Sequence, residues 1–257
     1  HGITAFLNIN PDNDYVGRIA GTTTFQVNSN VNWEISDTYD WLSVSPGFGS
    51  GNAVVTVSYD INGSGLDRFA FIDVSTLVGG ITEPFQLTQA AFDLHPVLVT
   101  EGWSGLSSYL MPYINDIEDV IAPVLSDFVI MQTATSVYYP GGSVNTIGTW
   151  DSQSAYKIKM SGTATLEIQG FEETDKTLPL NAGWNTIPVS SNIPVEVIDL
   201  FAGKDMILLK EIAGPGIIWP AYGINTLGTE LMPGSAYYVL MGSPETITFP
   251  ANAKGSG

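Results

Sequence analysis

Apolar and polar residues alternate with a period of two through most of the first ninety positions, the spacing that sends successive side chains to opposite faces of a strand. Phe25 and Val27 share one face, as do Val31, Trp33 and Ile35, with Asn32 and Glu34 directed the other way. The alternation resumes at Leu42 and Val44, at Val55, Val57 and Tyr59, at Ala70, Ile72 and Val74, and at Phe85 and Leu87. Between these segments lie Pro46-Gly47-Phe48-Gly49-Ser50-Gly51-Asn52 and Asn62-Gly63-Ser64-Gly65, rich in the residues that make tight turns. About seven short strands with turns at this spacing predict an immunoglobulin-like β-sandwich over residues 1–91.

Residues 92–98 read as a short joint, which Pro96 stiffens. Beyond it the pattern repeats with a period of about 80 residues. Gly102-Trp103-Ser104 returns as Gly183-Trp184-Asn185, and Tyr139-Pro140 as Trp219-Pro220. Asn145-Thr146-Ile147-Gly148 returns as Asn225-Thr226-Leu227-Gly228, Ala155-Tyr156 as Ala236-Tyr237, and Met160 as Met241. Ordered matches at a nearly constant offset mark an internal duplication, with repeats at about 99–170 and 180–251 and a tail at 252–257. Each repeat reads as strand, short helix, then several strands. Asn115 or Asp116 caps the first helix, whose apolar stripe is Ile117, Val120, Ile121 and Val124; Pro123 keeps it short. The second helix is expected to open at Pro194 and to bury Val195, Ile198 and Phe201. The apolar runs Phe128–Met131 and Met206–Leu209 suit central strands covered on both faces, and Tyr156, Ile158 and Met160 alternate with lysines as a half-exposed strand does. The fold class is therefore mainly β with some α: an N-terminal sandwich and a duplicated α+β domain with one shared core.

Composition narrows the function. Apolar residues make up 44% of the 257 positions while Asp, Glu, Lys and Arg reach only 13%, about half the usual charged share. Eight Lys and Arg face 26 Asp and Glu, a net charge of −18. Nucleic acid is excluded as a partner, because binding it needs clustered cations to displace phosphate counterions. An anionic membrane surface repels the chain for the same reason, whereas a neutral glycan does not. There is no cysteine, which removes thiol catalysis and zinc–thiolate sites. No apolar stretch reaches the about 18 residues a membrane helix requires. Residues 1–257 show no signal segment; an extracytoplasmic protein that begins at His1-Gly2 is expected to have had one removed.

Catalytic chemistry finds little support. Only His1 and His95 offer imidazole bases, and Leu106 breaks the nucleophile-elbow spacing around Ser104. Glu118 and Asp119 fit the first turn of a helix, where acids complement the dipole. Glu172, Glu173 and Asp175 read as a polar turn between repeats rather than an acid pair. Asp12-Asn13-Asp14 begins like a calcium loop but has Val16 and Thr23 where oxygen ligands belong. Gly214-Pro215-Gly216 lacks the lysine of a phosphate loop. No catalytic residue, metal or cofactor is implied. Aromatic side chains remain, since flat rings beside amides suit the weakly apolar faces of sugars. The candidates are Tyr138, Tyr139, Trp219 and Tyr222, each near a Pro-containing turn. Trp103, Trp184, Tyr139 and Trp219 recur in both repeats and so are also expected as core anchors; Tyr138 and Tyr222 have no matched aromatic and are freer to lie on the surface. Trp33 and Trp41 read as sandwich core.

One family resemblance rests on specific residues. Trp33-Glu34-Ile35, then Asp40-Trp41-Leu42-Ser43-Val44-Ser45-Pro46 and Gly49-Ser50-Gly51-Asn52, then Val55-Thr56-Val57, Asn62, Arg68 and Leu87-Thr88-Gln89-Ala90, resemble the BACON domain (Bacteroidetes-associated carbohydrate-binding often N-terminal) over residues 3–91. The resemblance implies a seven-stranded sandwich, a secreted or surface location and a setting among glycan-processing proteins. The remainder resembles the tandem Gly-Trp-Asn repeats of secreted Bacteroidetes proteins. The expectation is a non-catalytic secreted or cell-surface protein that binds glycans, with polysaccharide or another surface protein as partner. A structural or adhesive spacer is the alternative, and a glycan-processing enzyme is less favoured.

Overall fold

The computed structural model describes residues 4–36 and 38–253, which divide into two compact units at Asp93/Leu94. Strands account for 52% of the chain and helices for 7%.

The first unit is a sandwich of two sheets. One orders Leu7–Asn10, Gly21–Ser29, Ala53–Tyr59 and Leu42–Ser45; the other orders Asn13–Val16, Thr82–Gln89, Arg68–Thr76, Asn32–Ser36 and Phe48–Ser50. That is nine strands where about seven were expected. The additional ones are short edge pieces. Asn13–Val16 pairs in parallel with Thr82–Gln89, Asn13 opposite Gln86, and Phe48–Ser50 forms inside the turn-rich run after Pro46. The period-two sets meet between the sheets as expected, with Phe25, Val27, Trp33, Val55, Val57, Ile72 and Leu87 buried. Phe25 stacks on Phe85 at 4.6 Å. Trp33 lies over Gly49, where no Cβ fits, and its Nε1 donates to the Gly51 carbonyl at 2.8 Å.

The second unit repeats one small design twice. Gly102–Leu106, Tyr156–Met160, Phe128–Gln132, Val137–Tyr139 and Val144–Asn145 form a five-stranded sheet. Gly183–Pro188, Ala236–Met241, Met206–Glu211, Ile217–Trp219 and Ile224–Asn225 form another in the same order. Gly102 faces Met160 in one and Gly183 faces Met241 in the other. Even the irregularities recur: a register shift falls between Phe128 and Ile130 and again between Met206 and Leu208. These bulges explain the continuous apolar runs, which are not covered on both faces as expected; Ile207 is exposed because the extra residue of a bulge breaks the alternation. Each repeat has its own apolar cluster, around Leu106, Ile117, Met131 and Ile158 in one and around Ile187, Val197, Leu209 and Val239 in the other.

The helices are single turns. Helix α1, Ile117–Ile121, is capped by Asp116, whose carboxylate accepts the Glu118 N–H at 2.9 Å, and buries Ile117 and Ile121. Helix α2, Val197–Leu200, starts later than Pro194. Val195 and Glu196 pair instead with Leu231 and Glu230, so strand pairing claims the backbone first. A one-turn helix has one inward face, taken by Val197 and Leu200, which leaves Ile198 77% exposed rather than buried. The expected joint is also different: Asp93–Val99 is a strand, placed in one sheet with Ala164–Glu172 and Leu110–Pro112, and it buries His95, Val97 and Val99. No helix among the described residues is long and apolar enough to cross a membrane.

Candidate functional site

The two aromatic turns are equivalent hairpins. After Val137–Tyr139 a single turn at Pro140–Gly142 closes through the Ser143 N–H to the Pro140 carbonyl at 3.0 Å; after Ile217–Trp219 the Gly223 N–H reaches the Pro220 carbonyl at the same distance. Ser143 (φ 55°) and Gly223 (φ 65°) take the same left-handed step. Strand parity then separates the candidates. Tyr138 faces Met131 across the sheet, is 5% exposed and stacks on Phe128 at 5.3 Å, so it is a core residue although it has no aromatic counterpart. Tyr139, one residue on, points outward with its ring over Gly141 and Gly142. Trp219 is half-buried and meets Tyr222 edge-to-face at 4.4 Å; Tyr222 is 69% exposed. The neighbouring amides are structural. Asn145 accepts the Gly148 N–H and donates to Glu118, and Asn225 accepts the Gly228 N–H and donates to its carbonyl.

The paired tryptophans, expected as core anchors, are on the surface: Trp103 is 37% and Trp184 57% exposed. Their parity was readable, because Leu106 and Ile187 face the core and the tryptophans lie three residues earlier, on the other side of the strand. The register carries this outward face across both sheets. In the first it holds Trp103 and Lys159, then Gly105, Lys157 and Gln132. In the second it holds Trp184 and Leu240, then Thr186, Tyr238 and Lys210. Lys157 Nζ stands 4.5 Å from the centre of the Trp103 ring, and Trp184 meets Tyr238 edge-to-face at 6.3 Å.

The two outward faces converge. Ala155, Ile212 and Ala236 form a small apolar cluster with Tyr238 packed against it. A side chain at Gly105 would overlap the Ala236 backbone. Ser107 locks the approach: its N–H donates to the Gly234 carbonyl at 2.9 Å, and its hydroxyl donates to the Ser235 carbonyl while accepting the Val189 N–H. Above this floor lies a cleft of about 170 Å³ lined by Gln132, Lys157, Trp184, Thr186 and Tyr238, among others. A larger hollow of about 370 Å³ lies beside Tyr113, with Asp119 and Glu167 in its walls. Among the described residues no group of three His, Cys, Asp or Glu side chains is placed to hold a metal.

In the first unit the polar residues that carry the family resemblance are bound up in structure. Asn62 is fully buried and donates to the carbonyls of Leu66, Gln89 and Ala90. Gln89 donates to the carbonyls of Arg18 and Asp60 and accepts from Arg68, whose guanidinium also lies 4.1 Å over the Trp41 ring. These side chains tie the ends of strands together and satisfy buried backbone groups. On the outer face of the same unit, Tyr15, Phe69 and Phe71 are exposed, Tyr15 and Phe69 flanking Thr88.

Two largely antiparallel sheets packed face to face on alternating apolar residues define the first unit as an immunoglobulin-like sandwich module. Residues 7–91 match the family described as the viral BACON domain, so the resemblance carried by Trp33, Trp41, Asn62 and Gln89 holds for this segment, about a third of the chain. No curated protein matches the chain. Among solved structures it is similar to a Bacteroides ovatus GH5 xyloglucanase in complex with a heptasaccharide, at 17% identity, 49% of this chain and 26% of that one, with a TM-score of 0.31. It is also similar to WR4, a C. elegans MSP family member (13% identity, 33% and 97% covered, TM-score 0.28), and to the Pseudomonas aeruginosa CupB2 chaperone (12%, 63% and 100%, TM-score 0.24). The chain spans about a quarter of the length of the xyloglucanase.

Proposed function

We propose that this chain is a non-catalytic, extracytoplasmic polysaccharide-binding protein whose duplicated unit supplies the contact surfaces. The observation that carries the reading is the pairing of outward-facing aromatics at equivalent strand positions, Trp103 with Trp184 and Tyr139 with Trp219. Large aromatic rings are mostly buried on average; one kept at the surface at the same position of both copies is suited to the C–H face of a sugar ring. The matched family's association with carbohydrate binding supports the same class of ligand. Affinity electrophoresis of the whole chain through gels containing individual polysaccharides tests this. At least one polysaccharide is expected to retard the protein, and Trp184→Ala and Trp219→Ala to weaken binding about tenfold each, an energy of about 1.4 kcal/mol. Uniform mobility across plant, bacterial and animal polysaccharides would refute the reading.

A specific observation favours a spacer or adhesive role as the second reading. The exposed Phe69 and Phe71 have no hydrogen-bonding group, so the face they share with Tyr15 suits a protein partner better than a sugar. On that reading polysaccharides bind nowhere, and Phe69→Ser or Phe71→Ser abolishes adhesion of the chain to its target surface.

A further inference from the structure

The chain's few cations are not spread evenly. Of the described lysines, Lys176 and Lys204 are paired with Glu172 and Glu245 at 3.5 Å, whereas Lys157, Lys159 and Lys210 have no carboxylate partner among the described residues. All three unpaired lysines lie on the converging outward faces: Lys157 opposite Gly105 and Gln132, Lys159 opposite Trp103, and Lys210 opposite Tyr238. Although the chain has 26 Asp and Glu, none occupies an outward-facing paired position in these sheets. None lines the cleft either. On a chain of net charge −18, this face thus holds its lysines without carboxylate partners.

Resting on the polysaccharide-binding reading above, we infer that the cleft between the two repeats binds an anionic polysaccharide, one whose sugars bear carboxylate or sulfate groups. Trp184 and Tyr238 supply the aromatic wall, and Gln132 and Thr186 supply amide and hydroxyl groups for ring hydroxyls. Lys157 reaches the charged substituent from the opposite wall, and Lys210, beside Tyr238, stands next to it. At about 170 Å³ the cleft admits one ring of an extended chain; a neighbouring ring then lies beside Trp103, where Lys157 and Lys159, 4.5 and 5.8 Å from the indole centre, are placed to meet its charged substituent. The net negative charge does not forbid this. At physiological ionic strength charges more than about 8 Å apart are largely screened, so the lysines at the cleft set the local potential.

The test is affinity electrophoresis of the whole chain in gels containing polygalacturonate or alginate (carboxylated), chondroitin sulfate or carrageenan (sulfated), and uncharged xyloglucan or mannan, with polyglutamate as an anion that is not a sugar. Retardation is expected in a carboxylated or a sulfated gel, and which of the two retards more identifies the substituent. Lys157→Gln with Lys210→Gln is expected to weaken that binding at least tenfold, and Trp184→Ala to weaken it similarly, with melting temperatures unchanged. Retardation by uncharged polysaccharide alone, or binding indifferent to the lysine pair, would overturn the anionic assignment while leaving the polysaccharide-binding reading intact. Equal retardation by polyglutamate, insensitive to Trp184→Ala, would reduce the face to a charge patch and overturn it. No retardation in any gel would remove both.

Discussion

His95 illustrates how a residue read as part of a short joint acquires physical consequences from burial. Its imidazole is 6% exposed, lies 4.4 Å from the Tyr109 ring and shares a 2.9 Å hydrogen bond with Ser108 Oγ, which also accepts the Leu110 N–H. Burial pushes its pKa down from 6.5 to about 4. The unfolded chain therefore takes up this proton first as pH falls. The stabilisation is complete above about pH 6.5 and disappears as pH drops toward 4, a span of about 3 kcal/mol. Urea unfolding at about pH 7 and about pH 4.5 is expected to show His95→Gln losing less stability between the two than the wild type; identical losses would mean the ring is not held neutral. Gly105 is held just as tightly by its surroundings. Because its Cβ would run into the Ala236 backbone, Gly105→Ala is expected to cost about 1–3 kcal/mol in the same assay. A cost under about 0.5 kcal/mol would show that the repeats part easily there.

At the scale of elements, the duplication is carried by side chains that brace turns. The Tyr156 hydroxyl accepts the Asp151 N–H at 2.7 Å, and its equivalent Tyr237 accepts the Met232 N–H at 3.0 Å; burial raises the pKa of both. Tyr237→Phe orphans a backbone donor and is expected to destabilise the second unit by about 1–3 kcal/mol, measured by thermal unfolding. Such repeated pairs were legible in the sequence because each is local: Ala-Tyr, Asn-x-x-Gly and aromatic-Pro each fix one turn. Strands of the sandwich were legible for the same reason, since Phe25 to Leu87 state their inward face by simple alternation. The second helix was not, because Pro194 and Val195 satisfy helix rules that pairing with Leu231 overrides. The strand at Asp93–Val99 was hidden by Pro96 and a polar start. Recurrence suits a core anchor and a surface contact alike, whereas the parity of Leu106 and Ile187 turns Trp103 and Trp184 outward. The cleft itself depends on two distant sheets converging, which no local pattern encodes.

For the whole molecule, charge and architecture combine. The −18 net charge acts over long distances only when salt is low, since the screening length grows from about 8 Å at physiological ionic strength to about 30 Å at 0.01 M. Binding of an anionic polysaccharide is therefore expected to strengthen from about 0.01 to about 0.15 M salt, the reverse of a simple cationic surface; a steady weakening from the lowest salt upward would show that the net charge has no such effect. The most direct test of the account as a whole uses the six tryptophans as reporters of where a sugar lies. Their indole N–H signals, assigned by single substitution, are followed by NMR while the retained polysaccharide is titrated in. Trp103, Trp184 and Trp219 are expected to shift with a common saturation curve, while Trp33 and Trp150, buried in the two units, stay still. Shifts confined to Trp33 and Trp41 would move recognition to the sandwich and contradict the account.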